Sequence, residues 1–104
     1  MTLAPVLHLQ EHLVDGETRW TGRAVLEGRI WRDLLVLEVA GQLIGVRNRC
    51  PHRDMSLLMG RLDSVEGTLE CPSHGWVLPL LGSELKGLPV KAINGDFFLV
   101  LDEN

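Results

Sequence analysis

The length and composition of the chain set the first limits on what it can be. The 104 residues, at 11.6 kDa, are enough for one hydrophobic core and few for a second. Apolar residues make up 45% and charged residues 23%, as in globular domains. The net charge of -4 argues against the basic surface that binding of phosphate groups needs. Nucleic acids and anionic membranes are therefore unfavourable partners.

Short apolar segments alternate with turn residues along most of the chain, which is typical of an all-β barrel or sandwich. Tight hairpin turns are predicted at Ala40-Gly41 and Asn94-Gly95, and a further turn at Asp15-Gly16. The middle, residues 50–81, contains prolines and glycines at irregular intervals and is predicted to form loops with short strands. We expect one domain over residues 1–104, with about residues 48–82 inserted in the β-scaffold. The predicted strands are residues 3–9, 20–26, 33–39, 42–48, 90–93 and 96–101.

The sequence contains no recognisable targeting or membrane-spanning segment. The first residues have no basic region, and polar side chains such as His8 and His12 interrupt their apolar pattern. No apolar run reaches the roughly 18 residues of a membrane span. Two cysteines are too few for a disulfide scaffold in a chain this short. We expect a cytoplasmic protein with no membrane partner, whose thiols are reduced or bound to metal.

Each of the two cysteines has a histidine close behind it. The two segments are Cys50-Pro51-His52 and Cys71-Pro72-Ser73-His74. A single cysteine or histidine is more often a buried apolar group or a surface residue than a ligand. Here all the cysteines and half the histidines fall into two matched pairs, and a disulfide would leave the histidines without a role. The pattern predicts a metal site made of Cys50, His52, Cys71 and His74.

The distribution of these four residues also indicates which metal they hold. A structural zinc site usually spaces its ligands so that like residues are paired, as C-x₂₋₄-C and H-x₃₋₅-H. This chain instead places one cysteine and one histidine in each segment. Such mixing favours a binuclear iron centre, with two thiolates on one iron and two imidazoles on the other. A structural or regulatory module that holds zinc remains an alternative.

On these residues the chain resembles the Rieske [2Fe–2S] proteins. The motifs are CPH at residues 50–52 and CPSHG at residues 71–75, with supporting similarity at residues 46–49, 60–62, 88–90 and 94–96. The resemblance implies an all-β fold of stacked antiparallel sheets with a two-loop cluster-binding subdomain. It also implies one [2Fe–2S] cluster, with Cys50 and Cys71 on the inner iron and His52 and His74 on the outer iron.

The resemblance further implies a role in electron transfer. A Rieske domain passes one electron, and we expect 104 residues to be too few to add the separate mononuclear iron site of an oxygenase. We expect a monomeric ferredoxin, not itself an enzyme, that carries electrons from a flavin-containing ferredoxin reductase to a terminal oxygenase. The oxygenase would be a dioxygenase or a monooxygenase. The chain also resembles the small subunit of assimilatory nitrite reductase, which remains an alternative.

The resemblance also bears on the reduction potential. High-potential Rieske proteins carry an extra cysteine in each loop, joined as a disulfide, and Ser and Tyr hydroxyls directed at the cluster. This chain has two cysteines in all and no tyrosine. We therefore predict a potential near the lower end of the Rieske range, about −150 mV.

Overall fold

The computed structural model describes residues 2–26, 29–51, 55–72 and 75–102 of the chain. These residues contain no helix long and apolar enough to cross a membrane. Their β-strands are β1 (Thr2–Pro5), β2 (Leu7–Val14), β3 (Glu17–Leu26), β4 (Arg29–Val39), β5 (Gln42–Arg47), β6 (Arg61–Asp63), β7 (Thr68–Glu70), β8 (Val77–Pro79), β9 (Leu88–Ile93) and β10 (Asp96–Asp102).

The strands form two antiparallel sheets. Seven of them make a large sheet in the order β1-β10-β9-β5-β4-β3-β2, and the other three make a small sheet in the order β6-β7-β8. The two edge strands of the large sheet, β1 and β2, are separated in sequence by Val6 alone. The large sheet must therefore curl so that its two edges approach each other. This architecture confirms the predicted all-β fold of stacked antiparallel sheets.

Three two-residue turns join neighbouring strands of the large sheet, as the sequence predicts. Both central residues of each turn have positive φ, which defines the type I′ turn that matches the twist of a hairpin. Their φ values are 51° and 78° at Asp15-Gly16, 51° and 82° at Ala40-Gly41, and 52° and 85° at Asn94-Gly95.

The prediction of a single strand over residues 3–9 is wrong. The chain forms two strands there, because it leaves β10 after Pro5 and joins β3 from Leu7 onwards. Between them the N–H of Val6 donates to the carbonyl of Phe97 at 2.9 Å. The register of β2 shifts between Leu7 and Gln10, and His8 in this bulge has φ of 55°. The hydrophobic pattern did not reveal this change of partner.

Strand β4 is buried on both faces over four consecutive residues, 34–37. Leu35 and Leu37 belong to a core that also contains residues of the small sheet. Leu34 and Val36 belong to a second core, together with residues of β3, β9 and β10. A strand covered on both sides has a continuous apolar sequence instead of an alternating one, as β4 does.

The small sheet lies between β5 and β9 in sequence, within the segment predicted to be an insertion. Its central and last strands contribute Leu69 and Leu78 to the core that contains Ile44 of β5. Gly87 brings the chain back to the large sheet. A Cβ atom there would lie 2.5 Å from the carbonyl oxygen of Leu80 and 2.9 Å from Ile44 Cγ2, so this close approach requires glycine.

Candidate metal centre

Cys50 and Cys71 lie in the same apolar core. Cys50 follows β5, and Cys71 comes directly after β7. Their residues are 2% and 0% exposed, and both are thiols instead of disulfide partners. Leu57, Leu69 and Leu78 are fully buried members of the same core. Two sulfur donors are therefore held away from water in one part of the molecule.

The backbone closes around the two cysteines in the same way. The N–H of Cys50 donates to the carbonyl of Met55 at 2.9 Å, and the N–H of Cys71 donates to the carbonyl of Trp76 at 2.8 Å. Each bond joins a cysteine to the fifth residue after it. In the second loop Gly75, with φ of 68°, also donates to the Cys71 carbonyl at 3.1 Å. The two segments are thus matched in backbone hydrogen bonding as well as in sequence.

Met55 connects the two cysteine loops. Its carbonyl closes the first loop, and its thioether sulfur lies 3.6 Å from the Cys71 sulfur, which donates to it. Met55 is partly buried and packs against the core that holds both cysteines. No sequence motif marks a methionine for this role.

Asn48 fixes the chain just before the first cysteine. Its side-chain oxygen Oδ1 accepts hydrogen bonds from Ser56 Oγ at 3.0 Å and from the N–H of Leu57 at 2.8 Å. Its own N–H donates to the carbonyl of Asp33 in β4 at 2.7 Å. These bonds attach both ends of the first loop to each other and to the large sheet. Asn48 is a second residue whose role the sequence pattern did not predict.

The structure brings together two of the four predicted ligands. His52 and His74 lie outside the described residues, so their place in the site remains a prediction. The described donors suit a metal centre, because two buried thiols in closed loops are soft ligands of the kind that iron–sulfur clusters use. Of the other two histidines, His12 lies on β2 with its Nε2 atom 2.8 Å from Thr21 Oγ1.

Two buried cysteines in matched loops, in the core shared by a small and a larger antiparallel sheet, suit an iron–sulfur centre. Comparison with protein families identifies the class more closely, because the sequence model of the Rieske [2Fe-2S] domain matches residues 7–93. The chain therefore belongs to the Rieske family, and its cofactor is a Rieske-type [2Fe–2S] cluster. The resemblance stated from the motifs is confirmed.

The similar proteins of curated function are named as oxygenases or as an oxygenase subunit. The chain is 36% identical over 67 residues to the 4beta-methylsterol monooxygenase of Methylococcus capsulatus, which covers 62% of this chain and 18% of that protein. It is 49% identical over 39 residues to the 3-chlorobenzoate-3,4-dioxygenase oxygenase subunit of Comamonas testosteroni, a match that covers 38% of this chain and 9% of that protein. It is 40% identical over 47 residues to the chloroplastic pheophorbide a oxygenase of Oryza sativa subsp. japonica, a match that covers 45% of this chain and 8% of that protein. The matches thus span less than a fifth of each relative. No solved structure matches the chain.

Proposed function

We propose that Cys50, His52, Cys71 and His74 hold the [2Fe–2S] cluster, with the two cysteines on the buried iron and the two histidines on the outer one. The observation that carries this proposal is the matched closure of the two loops around buried thiols. When bound, the cluster takes up and releases one electron. The surrounding leucines exclude water from the two sulfur atoms, and Met55 and Trp76 hold the loops closed through their carbonyls.

The charge of the ligand set favours electron uptake. Two ferric ions and two sulfides carry a formal charge of +2, which the thiolates of Cys50 and Cys71 neutralise. Four thiolates would leave a charge of −2. A neutral centre accepts an electron more readily than a dianion, so two imidazoles in place of two thiolates raise the potential.

We infer that the chain is the one-electron carrier of a multicomponent oxygenase system, between a flavin-containing reductase and a terminal oxygenase. Membership of the Rieske family supports electron transfer, and the names of the three relatives support an oxygenase system. The described residues supply sulfur ligands and closed loops for an electron-transfer centre. The small subunit of an assimilatory nitrite reductase is the competing role, and the similar proteins named above favour the oxygenase system.

The ligand assignment predicts that replacing either outer histidine destroys the Rieske spectrum. His52→Ala and His74→Ala should each lose or strongly alter the visible absorption and the EPR signal of the dithionite-reduced protein. His12→Ala is the matched control, because His12 lies on β2 and contacts Thr21, and it should keep both spectra. An unchanged spectrum in either ligand variant would refute the assignment. A colourless wild-type protein that contains zinc would support the zinc alternative instead.

The carrier role is tested with tagged chain recovered from its own cells at low and at high salt. We expect weak, salt-sensitive recovery of a flavoprotein reductase and an oxygenase, and reoxidation of the dithionite-reduced chain by the recovered oxygenase. Stable, stoichiometric recovery with a large sirohaem subunit would overturn the carrier role and select the nitrite reductase subunit.

A further inference from the structure

Arg19 links the large sheet to the cluster-binding region through a buried guanidinium group. Arg19 lies on β3 and is 1% exposed. Its Nη1 atom donates to the carbonyl of Leu58 at 2.6 Å and to the carbonyl of Gly60 at 2.7 Å. These acceptors belong to residues 57–60, which we name the 57–60 turn because the N–H of Gly60 donates to the Leu57 carbonyl at 2.9 Å. One side chain thus holds this turn against the large sheet.

The 57–60 turn is bound to the chain that enters the first cysteine loop. The N–H of Leu57 donates to Asn48 Oδ1 at 2.8 Å, and Asn48 stands two residues before Cys50. The side chain of Leu57 is fully buried in the core that contains both cysteines. A shift of the turn would therefore move the Leu57 side chain, which packs in the core with both cysteines, and the segment from Asn48 to Cys50.

The 57–60 turn also presses on the chain that enters the second cysteine loop. A Cβ atom at Gly60 would lie 2.5 Å from the carbonyl oxygen of Glu70, so the two backbones are in close contact. Glu70 is the last residue of β7 and directly precedes Cys71. The turn that Arg19 holds is therefore packed between the approaches to both cysteines.

The described residues compensate the charge of Arg19 only in part. Among the described residues, its Nε and Nη2 atoms have no hydrogen-bond partner. The carboxylate of Glu17 lies 3.6 Å from Nη2, and its side chain is 47% exposed to water. Burying an incompletely paired cation is costly, whereas a neutral amide could donate to a carbonyl at lower cost. The guanidinium therefore brings to the 57–60 turn a positive charge that hydrogen bonding alone does not require.

We propose that Arg19 is a positioning residue for the cluster and raises its reduction potential. Its two hydrogen bonds hold the 57–60 turn against both cysteine approaches. Its positive charge, in a region of low dielectric, favours the reduced centre, which carries one more negative charge than the oxidised one. This role rests on the ligand assignment proposed above, and it is independent of the identity of the redox partners.

The test uses the intact, cluster-loaded chain with Arg19→Met, Arg19→Lys and the control Arg23→Met. Arg23 lies on the same strand but is exposed, so its replacement removes an equal charge from the surface. The measurements are the midpoint potential from an EPR-monitored titration and the rate of bleaching by an iron chelator. We expect Arg19→Met to shift the potential to more negative values and to bleach several-fold faster. Arg19→Lys should keep the potential close to that of the wild type, and Arg23→Met should change neither quantity.

Two outcomes would overturn the proposal. One is a folded Arg19→Met protein with the wild-type potential and bleaching rate, and the other is an Arg23→Met protein with an equal shift in potential. If Arg19→Met yields no loaded protein, Glu17→Gln tests the charge, with the exposed Glu11→Gln as control. Removal of the Glu17 carboxylate should shift the potential to more positive values than in the control, and no shift would contradict the proposal. A wild-type chain without a Rieske spectrum would instead refute the ligand assignment.

Discussion

Met55 contributes to both cysteine loops at once. Its carbonyl accepts the Cys50 N–H, and its thioether contacts the Cys71 sulfur at 3.6 Å. A methionine side chain is flexible and polarisable, so it fills the irregular space beside a sulfur atom well. Any residue that leaves the loop geometry unchanged can accept the Cys50 N–H with its carbonyl. Filling the space beside the Cys71 sulfur, in contrast, requires a side chain of suitable size. Substitutions at this position therefore separate packing from loop closure.

We predict that Met55→Ala opens the space beside Cys71, whereas Met55→Leu preserves it. Met55→Ala should lower the unfolding free energy by about 2 kcal/mol. This value is the lower end of the usual range for methionine truncation, because Met55 is only partly buried. A leucine of similar volume should cost less than about 1.5 kcal/mol. Urea unfolding measures the change in unfolding free energy. The rate of bleaching by an iron chelator measures how far the space beside Cys71 has opened. Equal bleaching rates for the two variants would contradict the role of the Met55 side chain in filling the space beside Cys71.

The four candidate ligands were predicted from the sequence pattern, whereas the residues that support the two loops were not. The cysteines and histidines are scarce, and their spacing carries chemical information. The roles of Met55 and Arg19 depend on contacts that bring distant parts of the chain together. Arg19 and Leu58, for example, are 39 positions apart in sequence. Nothing in the local pattern of β3 distinguishes a buried, hydrogen-bonded arginine from a surface one.

The hairpins of the large sheet show how local geometry selects residue types. Each type I′ turn places a residue other than glycine in the left-handed region, namely Asp15, Ala40 or Asn94. Asparagine and aspartate tolerate this conformation because their short polar side chains form local hydrogen bonds. Alanine has no such compensation, so the β4–β5 turn is the strained member of the three.

We predict that Ala40→Asn stabilises the protein and that Asn94→Ala destabilises it. Each change should amount to about 0.5–1 kcal/mol, since the left-handed conformation costs alanine roughly 1–2 kcal/mol and asparagine less. Both positions are exposed, so packing should change little. The midpoints of urea denaturation measure the effects, and an unchanged slope of the transition shows that the unfolded state is the same. A destabilised Ala40→Asn protein would contradict this explanation of the turn.

Prediction of the elements succeeded where the signal is local. The three turns were recognised because adjacent residues determine them. The division of the first strand at Val6 was missed because it depends on the approach of β10 and β3, which are distant in sequence. The strands of the small sheet have three residues each, too few for an alternating pattern to identify their limits.

Charge is a property of the whole molecule that bears on the proposed carrier role. The chain has a net charge of -4, and the oxidised cluster with two thiolates adds none, so reduction makes the molecule more negative by one. A negative carrier approaches a partner fastest when the docking surface of that partner is positive. Screening by salt weakens such steering, because the Debye length falls from about 30 Å at 0.01 M to about 8 Å at 0.15 M ionic strength.

We predict that the proposed flavin-containing reductase reduces the chain more slowly as salt is added. Stopped-flow absorption measures the rate of cluster reduction over this range of ionic strength. Reduction of the same protein by an uncharged mediator is the control and should depend little on salt. A reductase rate that is independent of salt would contradict docking by complementary charge.

The two-sided burial of β4 makes the two halves of the molecule thermodynamically dependent on each other. Leu35 and Leu37 cannot leave one core without moving Leu34 and Val36 in the other. Local melting of the metal-binding half should therefore spread into the curled sheet, and the chain should unfold as one cooperative unit. Under the proposed ligand assignment, the free energy gained when iron binds the two thiols would also stabilise strands far from the metal. We therefore expect insertion of the cluster to stabilise β3 and β10 as well as the loops proposed to hold it.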